Sequence, residues 1–133
     1  VYGPRQEASL EGGVVAIFLD RMAAGEETTI FGDGEQTRDF VYVGDVVAAV
    51  LAAAPHEGGT FNVGTGVETS INELHAACRR VTGYIREPRY EPPRPGDIRR
   101  SVTDPSLAAR DLGWKAAQSL DEGLALTWDA VQP

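Results

Sequence analysis

The 133-residue sequence has one cysteine, Cys78, and one lysine, Lys115. A lone thiol cannot form an internal disulfide and fits a reducing compartment, so a cytoplasmic location is expected. Histidine is equally scarce. His56 and His75 lie far apart, and Cys78 three residues after His75 gives one helical pair, which is not a metal site without further ligands. Basic residues are outnumbered, 12 Lys and Arg against 20 Asp and Glu, for a net charge of −8. Nucleic acid selects a basic face, so it is not an expected partner. No apolar run reaches the roughly 18 residues that a membrane helix needs. The longest, "VVAAVLAAAP", reads as a buried helix of a soluble domain. No signal peptide is recognised. The chain opens on "VYGPRQ" without methionine, and the expectation is a fragment of something larger.

What is present suits one globular domain over residues 1–133, with 42% hydrophobic and 24% charged residues. "GGVVAIFLDRMAAGEE" reads as a helix with Gly25 at its stop. "TTIFGDG" reads as a strand into a turn, and "TRDFVYV" as an alternating strand. Asp45 is expected to cap "VVAAVLAAA", which Pro55 ends. "GGTFNVGTG" reads as a second, buried strand. "SINELHAACRRVTG" is a helix opened by a Ser70–Glu73 capping box, with Cys78 on its inner stripe and His75 half-exposed. "IREPRYEPPRPGDIRRSV" is proline-broken and extended. "DPSLAARDLGW" is a short helix with Asp104 as N-cap, Pro105 at the first helical position and Gly113 at the stop. "SLDEGLALTWDAV" repeats the capping box with Ser119 and Glu122. The order predicts an α/β fold, a small mixed sheet with flanking helices.

The chemistry is narrowed by what fails. "GTGVET" follows a strand and precedes a helix, but Thr69 stands where a dinucleotide fingerprint needs its third glycine. Gly64 and Gly66 then simply make a turn before the Ser70 cap. A Tyr with Lys four residues on would give a phenol poised for proton transfer. Gln6, Val46, Pro88 and Arg94 occupy those places after the four tyrosines, so the pair is absent. G-x-S-x-G is absent too. Anion binding remains. Arg38 sits between a Gly-rich turn and an apolar strand, a costly place for an unpartnered charge. Arg94 lies in "PPRPGD", stiffened by prolines on both sides. Two readings follow. The two arginines clamp a diphosphate, or Arg38 pairs with a buried carboxylate while Arg94 stands in solvent.

At these residues the chain resembles a known family. "VYGPRQ", "GVVAIFLDRMAAGE", "TIFGDGEQTRDFVYVGDVV", "FNVGTG", "SINELHAAC", "PPRPGDIRRSVTDPSLAARDLGW" and "SLDEGLALTW" occur in order. They resemble the C-terminal, substrate-binding part of the extended short-chain dehydrogenase/reductases, the NAD-dependent nucleotide-sugar epimerases and dehydratases, of UDP-glucose 4-epimerase-like type. Ala16 replaces a common proline, and Gly44 a common acid.

The resemblance implies the C-terminal substrate domain of a Rossmann-type epimerase. Residues 1–6 would be the tail of an NAD-binding domain that the sequence does not contain. It implies Thr29, Phe31 and Val15 around the nucleobase of a UDP-sugar. Arg38 and Arg94 would meet its diphosphate, with Gln36 near sugar or diphosphate and Asp97 on the ribose or orienting Arg94. In such enzymes NAD takes and returns a hydride, and the Tyr of a Tyr-x-x-x-Lys pair takes the proton. Because the Gly-rich NAD loop and that pair are absent here, no NAD binding and no turnover are expected of these 133 residues alone. The alternatives are a stand-alone module that self-associates as a homodimer with exchanged elements, and a related nucleotide-sugar dehydratase or reductase.

Overall fold

The computed structural model describes residues 1–9 and 13–131. Gly12, the first residue of the expected first helix, lies outside them. Three helices carry the main core. α1 (Val14–Ala23) turns Val15, Phe18, Leu19 and Met22 inward, and Gly25 follows its end at φ 67°. α3 (Ile71–Thr82) adds Ile71, Leu74, Ala77 and Cys78, and α5 (Leu120–Val131) adds Leu124. The Ser70–Glu73 capping box is complete, with each side chain serving the other's backbone N–H. The Ser119–Glu122 box closes in the same way. Both follow from local sequence, since each satisfies amide groups that a helix start leaves open.

The strands are short and form two pairs. β1 (Thr29–Phe31) lies parallel to β4 (Arg89–Glu91), with Thr29 opposite Arg89 and Phe31 opposite Glu91. β2 (Thr37–Arg38) runs antiparallel to β3 (Thr69–Ser70). Tyr2 is 3% exposed and makes an isolated parallel bridge to Tyr42, donating its amide to Val41 and accepting from Val43. The expected domain tail, residues 1–6, thus contributes to this core.

Four expectations are corrected. "TRDFVYV" is strand only at Thr37–Arg38, because the chain turns into α2 (Val43–Ala53) five residues later. "GGTFNVGTG" forms no strand and is largely exposed, because no neighbouring strand pairs with it among the described residues. Asp45 does not cap α2. It lies inside the first turn, 5% exposed, and its carboxylate accepts the amides of Ala117 and Gln118, 3.1 and 3.0 Å away. Pro105, not Asp104, is the cap residue of α4 (Ser106–Leu112), although Asp104 Oδ1 still accepts the Ser106 amide.

α2 also departs from the buried helix expected of its composition. Ala49 packs with Ala108 and Trp114, but Val47, Val50 and Leu51 are 54%, 63% and 69% exposed. Among the described residues no helix is long and apolar enough to cross a membrane.

Leu74 is fully buried between α1 and α5, whereas Leu126 on α5 is 44% exposed. Leu74→Ala should therefore cost about 2–5 kcal/mol in urea unfolding. Leu126→Ala should stay within about 0.5 kcal/mol.

Candidate functional site

The "FGDGEQ" turn sits beside the start of α3. Gly34 has φ +76°, and a Cβ there would lie 2.0 Å from Asn72 Oδ1. Asn72, in the first turn of α3, uses this closeness. Its side-chain amide donates to the Asp33 carbonyl and to Glu35 Oε1, and its backbone amide to the Gly34 carbonyl. Gln36 is 9% exposed and donates its amide nitrogen to the Phe31 carbonyl at 2.8 Å. The turn is thereby fixed from both sides, and Phe31 is held at its rim.

Arg38 leaves β2 towards the proline-rich segment. Nη1 donates to the carbonyls of Thr37 and Ile98 at 2.7 and 2.6 Å, and Nη2 to Asp97 Oδ1 at 2.5 Å. Arg38 and Asp97 are 29% and 33% exposed, so the partner carboxylate is half-exposed and not buried. A guanidinium has five N–H donors. The Nε hydrogen and one on Nη2 remain for a ligand. Asp97 orients Arg38, and not Arg94 as the resemblance allows. Arg94 instead lays its guanidinium over Phe31, 4.0 Å from the ring centroid, at cation–π range. Arg94 is exposed, as the second reading has it, but it leans on this ring, and the carboxylate that pairs with Arg38 is not the buried one of that reading.

These residues meet in one cleft of ≈ 350 Å³. Six of the seven expected site residues line it: Thr29, Phe31, Gln36, Arg38, Arg94 and Asp97. Val15 does not. It is 2% exposed and faces the helical core, while Val14, one helical step round, lines the cleft. Two arginines and one aspartate leave the cleft locally positive on an acidic chain, a setting for an anion beside an aromatic ring.

Two acids, Asp39 and Glu68, tie the segment that follows Asp97 to the neighbourhood of β2. Asp39 points away from Arg38 and gathers the "GTG" turn. Its carboxylate accepts the Thr65 hydroxyl and amide, the Gly66 amide and the Thr103 amide. Burial alone would raise its pKa, but these donors hold it below the usual carboxylate range. A Cβ at Gly64 would lie 2.7 Å from Asp39 Oδ2, so only glycine admits this approach. Glu68 accepts both Arg100 Nε and Nη2, and Thr37 Oγ1. Arg100 first, then Thr37, draws its pKa down to about 2. The Thr37 amide donates to the Arg99 carbonyl. The segment from Asp97 to Thr103 is therefore strapped to β2 along its length. No periodicity marks Asp39 or Glu68, since their partners lie up to 64 residues away.

His75 is 3% exposed, not half-exposed. It is hydrogen-bonded to Thr28 Oγ1 at 2.8 Å and meets the Phe18 ring edge-on. Burial lowers its pKa, so it stays neutral packing. Burial likewise pushes the Cys78 thiol up to about 12, which leaves it unreactive.

Residues 1–64 match the family described as "NAD dependent epimerase/dehydratase family". The chain is 54% identical over 129 residues to a UDP-glucose 4-epimerase of Mycolicibacterium smegmatis, covering 96% of this chain and 41% of that protein. It superposes on the Thermotoga maritima UDP-glucose 4-epimerase, solved with UDP-glucose, at TM-score 0.92 and 52% identity, over 97% of this chain and 42% of that one. The Thermus thermophilus UDP-glucose 4-epimerase, solved with NAD, is similar at TM-score 0.86 and 39% identity, over 98% and 43%. The chain thus spans about two fifths of the length of the relatives it matches.

The Glu68 strap has a pH signature. A carboxylate depressed on folding stabilises fully above its unfolded value, about 4.3, and that stability is lost as pH falls through the folded value. Carbon-13 carboxyl titration should place the Glu68 midpoint near about 2. Arg100→Gln should return it towards about 4.

Proposed function

The chain belongs to the NAD-dependent epimerase/dehydratase family, and from that premise we propose that it forms the nucleoside-diphosphate hold of a nucleotide-sugar epimerase, with a UDP-sugar as ligand. The observation that carries this is the meeting of Phe31, Arg38 and Arg94 in one cleft. An aromatic face suits a planar base. The free Nε and Nη2 hydrogens of Arg38 suit phosphate oxygens, and Arg94 adds the second positive charge. Relatives and structural neighbours named for UDP-sugars support the choice of ligand.

NAD supplies hydride transfer in enzymes of this family, but these residues do not fit it. The "GTG" turn has the Thr65 and Gly66 amides committed to the Asp39 carboxylate. Those two amides are not available to a pyrophosphate, and the carboxylate that holds them would repel one. The Tyr-x-x-x-Lys pair is likewise absent from the 133 residues. Their role is to position a substrate by binding a part remote from the reacting carbon. On this reading they turn nothing over unaided.

α2 favours a second reading, self-association. Val47, Val50 and Leu51 form an exposed apolar face of the kind that drives association. Sedimentation equilibrium should then show a dimer at high concentration. A compact monomer contradicts it.

Calorimetric titration tests the hold. UDP should bind the chain more tightly than TDP or GDP. Arg38→Ala should lose about tenfold or more, the value of a charge-assisted contact or two. Arg38→Lys should also weaken binding, because an ammonium cannot reproduce the fork to Thr37, Ile98 and Asp97. Equal affinity of wild type and Arg38→Ala for UDP would contradict the assignment.

A further inference from the structure

Arg38 and Arg94 are not equivalent. Arg38 is tied by three hydrogen bonds. The Arg94 guanidinium has no hydrogen bond or ion pair among the described residues, and its recorded contact is the Phe31 ring. Phe31 and Arg94 together form the wall shared by three adjoining hollows, the cleft and two neighbours. The stack is thus a partition at the centre of the site, held by one non-directional contact.

We propose that the Phe31 face is used in turn by Arg94 and by the planar ring of the ligand, so that seating the ring moves Arg94 onto the ligand's diphosphate. This rests on the nucleoside-diphosphate reading and adds a specificity device to it. Without ligand, Arg94 covers the ring and shields an aromatic surface from water. A planar base stacking on that face takes the guanidinium's place. The displaced cation remains in the cleft, where Arg38 holds its own free hydrogens, and a diphosphate is its natural partner.

The two halves of the ligand then help each other. A diphosphate that draws Arg94 away uncovers Phe31 for the base, and a base that takes Phe31 frees Arg94 for the diphosphate. Such coupling is reciprocal by necessity. A ligand with only one half must break the Phe31–Arg94 contact without the other half's return. The cleft therefore selects base and diphosphate joined in one molecule over either part alone. Arg38 cannot supply this selection, since its position is fixed whether or not a ligand is present.

The test uses the full chain with UDP, inorganic pyrophosphate and uridine as probes. Phe31→Leu removes the ring and the contact that holds Arg94 back. It should bind pyrophosphate about 2- to 30-fold more tightly than wild type, the range spanned by a cation–π contact, while binding UDP more weakly. Arg94→Gln gives the mirror image. Uridine should bind more tightly, because the ring is uncovered, and pyrophosphate more weakly. Arg94→Gln also carries the test alone if Phe31→Leu fails to fold, as judged by amide dispersion. In wild type, saturating pyrophosphate should raise uridine affinity, and Phe31→Leu should abolish that gain. If wild type binds UDP, yet Phe31→Leu binds pyrophosphate no better and Arg94→Gln binds uridine no better, the exchange is overturned and the hold stands. If wild type binds no UDP, both are overturned.

Discussion

The site depends on where one guanidinium spends its hydrogens. The loop from Pro92 to Gly96 has three prolines and a glycine and no regular hydrogen bonding to place it. Arg38 places it. By holding the Ile98 carbonyl and the Asp97 carboxylate together with its own strand's Thr37 carbonyl, it ties the segment after Arg94 to β2. Asp39 and Glu68 extend that seam through Thr103 and Arg100. Without the seam, the entropy of an unpaired loop would spread Arg94 over many positions. With it, Arg94 lies over Phe31 and the cleft exists before any ligand arrives. Preorganisation of this kind lowers the ordering cost of binding.

The positioning is inexpensive because the neighbouring core is helical and locally encoded. α1, α3 and α5 bury one continuous cluster, and two capping boxes start α3 and α5 from four residues each. The "GDG" turn is fastened to the start of α3 by Asn72. β1, β2 and the proline loop then need only a few bonds each to be located against a rigid body. The short strands suit that task, since they serve as clamps between segments and not as a load of sheet.

What the sequence discloses divides along the same line. The two capping boxes, the glycine stops after α3 and α4 and the inner stripe of α3 are written within a few residues, and they read correctly. Arg38 and Arg94 stand out because each is a charge in a turn-flanked or proline-stiffened setting, whereas Phe31 and Gln36 are marked only by the family resemblance. Their partners do not stand out. Nothing near Asp39 announces Thr65 and Thr103, and nothing near Asp45 announces Ala117 and Gln118. Asp45 shows the cost, since an acid before an apolar helix reads as a cap whether or not its carboxylate reaches elsewhere. "FNV" shows the converse. A β-prone run becomes a strand only when another strand lies beside it, and none does among the described residues. His75 was misjudged because a polar residue at the edge of a helical stripe can turn inward once Thr28 meets it.

The central claim is that base, diphosphate and both arginines come together at the Phe31 cleft, and not at the larger hollow of ≈ 960 Å³ between the "GTG" turn and Trp114. Nuclear magnetic resonance of the labelled chain titrated with UDP decides it most directly. The account predicts shifts in the Phe31 ring, the Gln36 side-chain amide and the Nε groups of Arg38 and Arg94, with the Thr65 and Trp114 amides unmoved. Shifts confined to Thr65, Trp114 and Ser119, or none at all, would contradict it.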